Sequence, residues 1–132
     1  MSYHENSRKT FVAGAVIASQ SVVKLGTSGV EPCGSDDLPL GFVEIGARAI
    51  GEQVSVRLIN TPGTVEVRAG GSITAGSLVS PGTDGTVVAQ SDSAQSVGIA
   101  LAAAANGELV EIVPVFDSSA AAAAAAASIS DN

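Results

Sequence analysis

The chain has 132 residues, a formal charge of −7 and only six Lys and Arg against 13 Asp and Glu. That balance argues against a nucleic-acid partner, because affinity for a phosphate backbone comes largely from Lys and Arg displacing counterions. Apolar residues make up 45% of the chain but aromatic residues only 3%. The expected core is therefore thin, built from Ala, Val, Ile and Leu, and a partner surface adds stability to such a domain. No stretch approaches the roughly 20 apolar residues of a membrane span, so a soluble protein without a membrane partner is expected.

The first ten residues, MSYHENSRKT, are polar and read as an N-terminal arm. His4 stands there with only Glu5 as a neighbouring ligand type, which reads as a solvated or interfacial histidine and not as a metal site. Phe11 to Ala18, FVAGAVIA, follows Arg8 and Lys9 and has the look of a signal-peptide apolar region. It recurs further along the chain, as no cleaved leader does. Shifting the sequence by the spacing between Gly29 and Gly85 lays FVAGAVIASQSVVKLGTSG, from Phe11, over VRAGGSITAGSLVSPGTDG, from Val67. Eight pairs are identical, including Ala13 with Ala69, Gly14 with Gly70, Ile17 with Ile73 and Val23 with Val79. One residue of slippage after this block places Leu40-Gly41-Phe42 over Val97-Gly98-Ile99, and the original offset then returns at Gly51-Glu52 over Gly107-Glu108. The chain is a tandem duplication, with units 11–59 and 67–115 inside a single domain spanning 11–115.

Within the units the elements are strands and turns. Thr27-Ser28-Gly29 and Thr83-Asp84-Gly85 each read as the turn of a hairpin. Gln53 to Ile59 alternates Val54, Val56 and Leu58 with polar residues, the period of a strand with one wet face. Its counterpart, Glu108 to Val115, follows the Asn106-Gly107 turn and carries Val113 and Val115 on the outer face, which implies that this face is covered. Helical periodicity is not evident. The expected fold is all-β, a small barrel or sandwich of two repeats of about 56 residues packed around a pseudo-twofold axis. Beyond it, residues 116–132 form a C-terminal tail with eight consecutive alanines, Ala120 to Ala127, too short a run for a stable isolated helix.

Catalytic chemistry has little to stand on. Asp36 and Asp37 are adjacent, so their carboxylates diverge in an extended segment and suit a polar loop better than acid and base work. Gly82-Thr83-Asp84-Gly85 lacks the oxygen series of a calcium loop. Gly70-Gly71 opens no helix that could bind a phosphate. Cys33 is the only cysteine, so no intramolecular disulfide is expected. A biotinyl or lipoyl carrier domain also has two similar halves, but it needs a lysine on an exposed hairpin. The only lysines are Lys9, in the arm, and Lys24, in a strand-like Val-Val-Lys-Leu context. A sugar platform needs exposed aromatics, and Tyr3, Phe11, Phe42 and Phe116 are all there are. No enzyme activity, cofactor or metal is expected.

The second unit runs AGGSITAGSLV, a TDG turn, TVVAQ, a polar loop, VGIALAAAANGE and LVEIVPV. This succession resembles the head-decoration, or cement, proteins of tailed bacteriophages, including the lambda-type β-tulip proteins and related two-repeat families. The resemblance covers residues 11–115. It implies a structural virion protein, made in the host cytoplasm, that binds the major capsid protein on the outer head surface and stabilises the shell, commonly as a homotrimer. A trimerising domain of a fibre or tail component is the alternative. The arm and the tail lie outside the resemblance and are the expected capsid or subunit contacts, with Tyr3, His4, Arg8, Lys9, Phe116, Ala120, Ala127 and Ile129 as candidates.

Overall fold

A computed structural model describes residues 8–35, 37–59, 63–90 and 95–117. Ten strands are present: β1 (Arg8–Val12), β2 (Ser21–Leu25), β3 (Val30–Pro32), β4 (Gly41–Val43), β5 (Gln53–Leu58), β6 (Val65–Arg68), β7 (Leu78–Pro81), β8 (Val87–Ala89), β9 (Ser96–Ala100) and β10 (Leu109–Asp117). They form two five-stranded antiparallel sheets of identical topology, β1-β5-β4-β2-β3 and β6-β10-β9-β7-β8. Parallel bridges join the two edges of each sheet, Ala13 to Val30 in the first and Ala69 to Val87 in the second. Each repeat therefore curls into its own small barrel.

The interior of the first barrel is Ala13, Ile17, Val23, Val30, Val43, Ala47, Val54 and Val56. Their counterparts Ala69, Ile73, Val79, Val87, Ala100, Ala104, Val110 and Ile112 are buried in the second. β5 shows the cause plainly: Val54 and Val56 are buried while Gln53 and Ser55 between them are exposed. β1 begins at Arg8, upstream of the repeat boundary read from sequence. Arg8, Lys9 and Thr10 pair with Arg57, Val56 and Ser55, so these residues belong to the barrel and not to an arm. They look polar because β1 is an edge strand, where charged residues discourage further pairing.

The slippage between the repeats falls inside the hairpin turn. Gly26 N–H bonds to Gly29 O, whereas Gly82 N–H bonds to Thr86 O, one residue further on. In the longer turn Asp84 (φ 60°) and Gly85 (φ 83°) are both left-handed and Thr86 N–H bonds back to Thr83 O, the geometry of a type I′ turn. This turn docks on the first barrel. Val22 N–H donates to Gly85 O at 2.8 Å, and Gly85 N–H donates to Cys33 O at 2.9 Å. Alongside it, Arg68 N–H donates to Gln20 O, and its guanidinium donates to Ser21 Oγ, at 2.9 Å, and to Ser19 O.

Beneath these bonds Val22, Cys33 and Phe42, all fully buried, join the core cluster of the second barrel, with Ile59 packed against it. The contacts run one way. Among the described residues the turn Thr27–Gly29 makes no matching bonds to β7. The expected pseudo-twofold packing is thus replaced by a head-to-tail arrangement, in which the longer turn of the second repeat docks on the first barrel.

The hairpin of β2 and β3 is held from outside by charge. Lys24 Nζ lies 3.1 Å from Asp37 Oδ2 and 3.9 Å from Glu31, and Asp37 also accepts the Gly34 N–H at 2.8 Å. The Gly34 N–H and then the Lys24 ammonium hold the Asp37 carboxyl below its ordinary range, and Asp37 in turn holds Lys24 above its own. Burial, with Asp37 adding to it, pushes the Cys33 thiol up to about 12. This leaves it protonated and unreactive.

Two predictions follow from these contacts. A Cβ on Gly85 would sit 2.8 Å from Ser21 Cβ, whereas one on Gly107, at φ 91°, would meet nothing within 4 Å. Gly107→Ala should therefore cost about 1 kcal/mol, the left-handed penalty alone. Gly85→Ala should cost about 1–3 kcal/mol more from crowding, read from urea midpoints. Asp37 stabilises the fold above the ordinary carboxylate range near pH 4, and that contribution is lost as pH falls through its lowered value. The midpoint difference between wild type and Asp37→Asn should accordingly shrink towards zero between pH 7 and pH 2.

Candidate interaction surface

Small barrels expose the loops that join their strands, and in the first barrel two of these loops are stitched into one surface. Ala13 N–H bonds to Glu52 O and Gly51 N–H bonds to Ala13 O at one end. At the other end Ile17 and Ala47 exchange both backbone bonds, and Gly46 N–H donates to Ser19 Oγ. Glu52 Oε1 accepts the Arg48 N–H, which fixes the turn between them. Ile17 and Ala47 point into the core. Their neighbours are left outside: Val16 is 62% exposed, Ile45 79% and Ile50 71%.

Large aliphatic side chains on rigid, well-bonded loops are an interaction signal when several share a surface. The second barrel builds the same loops with the same hydrogen bonds, Ile73 to Ala104 and Gly107 to Ala69, but without these side chains. Ser72, Ala102 and Asn106 stand where the first repeat has Val16, Ile45 and Ile50. These three side chains therefore belong to the first repeat alone, while the second exposes Leu101 (47%) and Leu109 (44%) at other positions. Sequence reading missed the three, although the signal was there: a large aliphatic residue whose twin is small or polar is not serving the core shared by both repeats.

Beside Ile45, Arg8 Nη2 bridges to Glu44 Oε1 at 3.0 Å, and a shallow hollow opens between these three residues, Gln53 and Ser55. Arg8 and Lys9, two of the contacts expected from sequence, thus lie on β1, Arg8 at the rim of the hollow and Lys9 exposed opposite Val56. Phe116 lies in the last part of β10, within the stretch between Pro114 and Asp117 where the register shifts. Tyr3, His4, Ala120, Ala127 and Ile129 fall outside the described residues. Among the described residues, Arg8 and Lys9 share β1, whereas Phe116 lies on β10 of the other sheet.

Among the described residues no three His, Cys, Asp or Glu side chains gather as a metal site. Neither lysine stands at a hairpin tip: Lys24 is within β2 and engaged by Asp37, and Lys9 is within β1.

A search of curated proteins gives no match. Among solved structures the fold is similar to the crystal structure of the head fiber gp8.5 N base in bacteriophage phi29, with a TM-score of 0.70 and 20% identity. The match covers 82% of this chain and 92% of that one. A family model described as phage cement protein matches residues 2–129, nearly the whole chain. The chain belongs to the phage cement protein family.

Proposed function

We infer that this protein binds the outer surface of a phage head through the major capsid protein and reinforces the shell, without enzymatic activity. The observation that carries the reading is the exposure of Val16, Ile45 and Ile50 on two hydrogen-bonded loops of the first repeat, where the second has Ser72, Ala102 and Asn106. Exposed aliphatic surface of this kind costs solubility and is retained where a partner covers it. The hydrogen-bonded loops beneath it are ordered before binding, so little conformational entropy is lost on contact. Family membership supplies the class of partner, and the chain's negative charge disfavours direct contact with packaged DNA. Association as a homotrimer on threefold positions is part of the same proposal. The segments before Arg8 and after Asp117, including Tyr3, His4 and the Ala120–Ala127 run, are offered as secondary contacts that add a strand to a neighbouring sheet edge.

A second reading, a trimerising domain at the base of a fibre, is favoured by the extent of the likeness to the head fibre base. Copy number separates the two: a reinforcing protein approaches the number of capsid subunits per particle, and a fibre base is rare.

The test is cosedimentation with undecorated capsids. Ile45→Asp with Ile50→Asp should weaken binding by at least about tenfold, the equivalent of 1.4 kcal/mol. Thermal unfolding should be unchanged, because both side chains are exposed. Binding that survives this pair but fails on removal of residues 1–7 or 118–132 would move the attachment site to the termini.

A further inference from the structure

The interface between the two barrels is a head-to-tail contact made once within the chain, and each of its two surfaces has a twin at the opposite end of the molecule. On the covered side, Val22, Phe42 and Arg57 form a cross-strand row on the outer face of the first barrel. Directly opposed residues share a face. Val22 and Phe42 are fully buried because the second barrel lies over them. The same row in the second barrel is Leu78, Ile99 and Val113, paired in the same register. It is wholly aliphatic, yet all three side chains are partly exposed. The amide that corresponds to Val22 N–H, which Gly85 O caps, is Leu78 N–H.

The covering side has a free twin as well. Val65, Val67 and Val97 are buried in the second barrel, and Arg68 beside them contacts the first. Their counterparts in the first barrel are Lys9, Phe11, Leu40 and Val12: Lys9 is exposed, Val12 is 48% exposed, and Phe11 and Leu40 are half-buried. The substitution of Val12 for Arg68 is matched on the other side. Arg68 sits over Ser19, Gln20 and Ser21, where Val12 would meet Ala75, Gly76 and Ser77, a less polar strip.

We propose that a second copy of this chain covers the Leu78–Ile99–Val113 row with its first barrel, through Phe11, Val12 and Leu40, so that the apolar part of the internal contact is repeated between subunits without the bonds of the longer turn and of Arg68. The contact is heterologous, with different surfaces on its two sides, and such contacts close into rings when the rotation between units allows. The outer face of β10, which is more apolar than that of β5, is thereby accounted for. The proposal concerns the free protein and stands apart from capsid attachment.

Light scattering coupled to size exclusion reads the result. Wild type should be larger than a monomer, while Leu78→Asp, which damages one side, and Val12→Asp, which damages the other, should each be monomeric. Mixed together, these two variants retain one intact pair of surfaces and should form a dimer containing one copy of each, as no symmetric self-contact does. In wild type the Leu78 amide should exchange more slowly as protein concentration rises, a reading that does not depend on how well either variant folds. A monomeric wild type, undiminished assembly by Val12→Asp, or concentration-independent exchange at Leu78 would overturn the proposal.

Discussion

The fold depends on covering one apolar patch on the outside of its first barrel. A barrel of five short strands buries little more than eight small side chains, Ala13 to Val56, and its strands β2 and β4 place Val22 and Phe42 on the face that ought to be wet. Left bare, that face would expose a phenylalanine and a valine beside Cys33. The second repeat covers it, and the two hydrogen bonds at Gly85 with the three donors of Arg68 fix where it lies. Buried together, the patch and the second core become one cluster, so the two barrels share their stability although each has a complete hydrogen-bonded sheet.

Much of this was legible in the sequence, and the parts that were not have physical reasons. The duplication, the Asp84-Gly85 and Asn106-Gly107 turns and the alternation of β5 depend on local chemistry, and each was found where it was expected. Arg8 to Thr10 were read as an arm because an edge strand carries no apolar pattern. The gapless match of Gly29 to Gly85 concealed the inserted turn residue, since two glycines of different conformation, φ 142° and 83°, look the same as letters. The direction of packing was hidden for a related reason: Val22 and Val23 are both fully buried on opposite faces of one strand, and period-two reasoning cannot say which second surface covers the outer one. The loop surface of Val16, Ile45 and Ile50 needed a comparison of the repeats for what differs between them, whereas the duplication was established by what they share.

That comparison also separates scaffold from function. Positions alike in both repeats build the barrels. Positions that differ include those that join one barrel to the next, Arg68 and the longer turn, and those that leave aliphatic groups on the first barrel's loops. A duplicated unit that has diverged in this way does with one chain what a symmetric dimer cannot, because its two halves present different surfaces.

Native-state hydrogen exchange at the Val22 and Gly85 amides tests the central claim most directly. If the docking of the second barrel holds the molecule together, both amides should be protected to the same free energy as the core strands of the two barrels and should open with them in a single transition. Exchange at these two amides near the rate of the exposed turns, with the barrel cores still protected, would show that the barrels are independent and that the covered patch does not organise the fold.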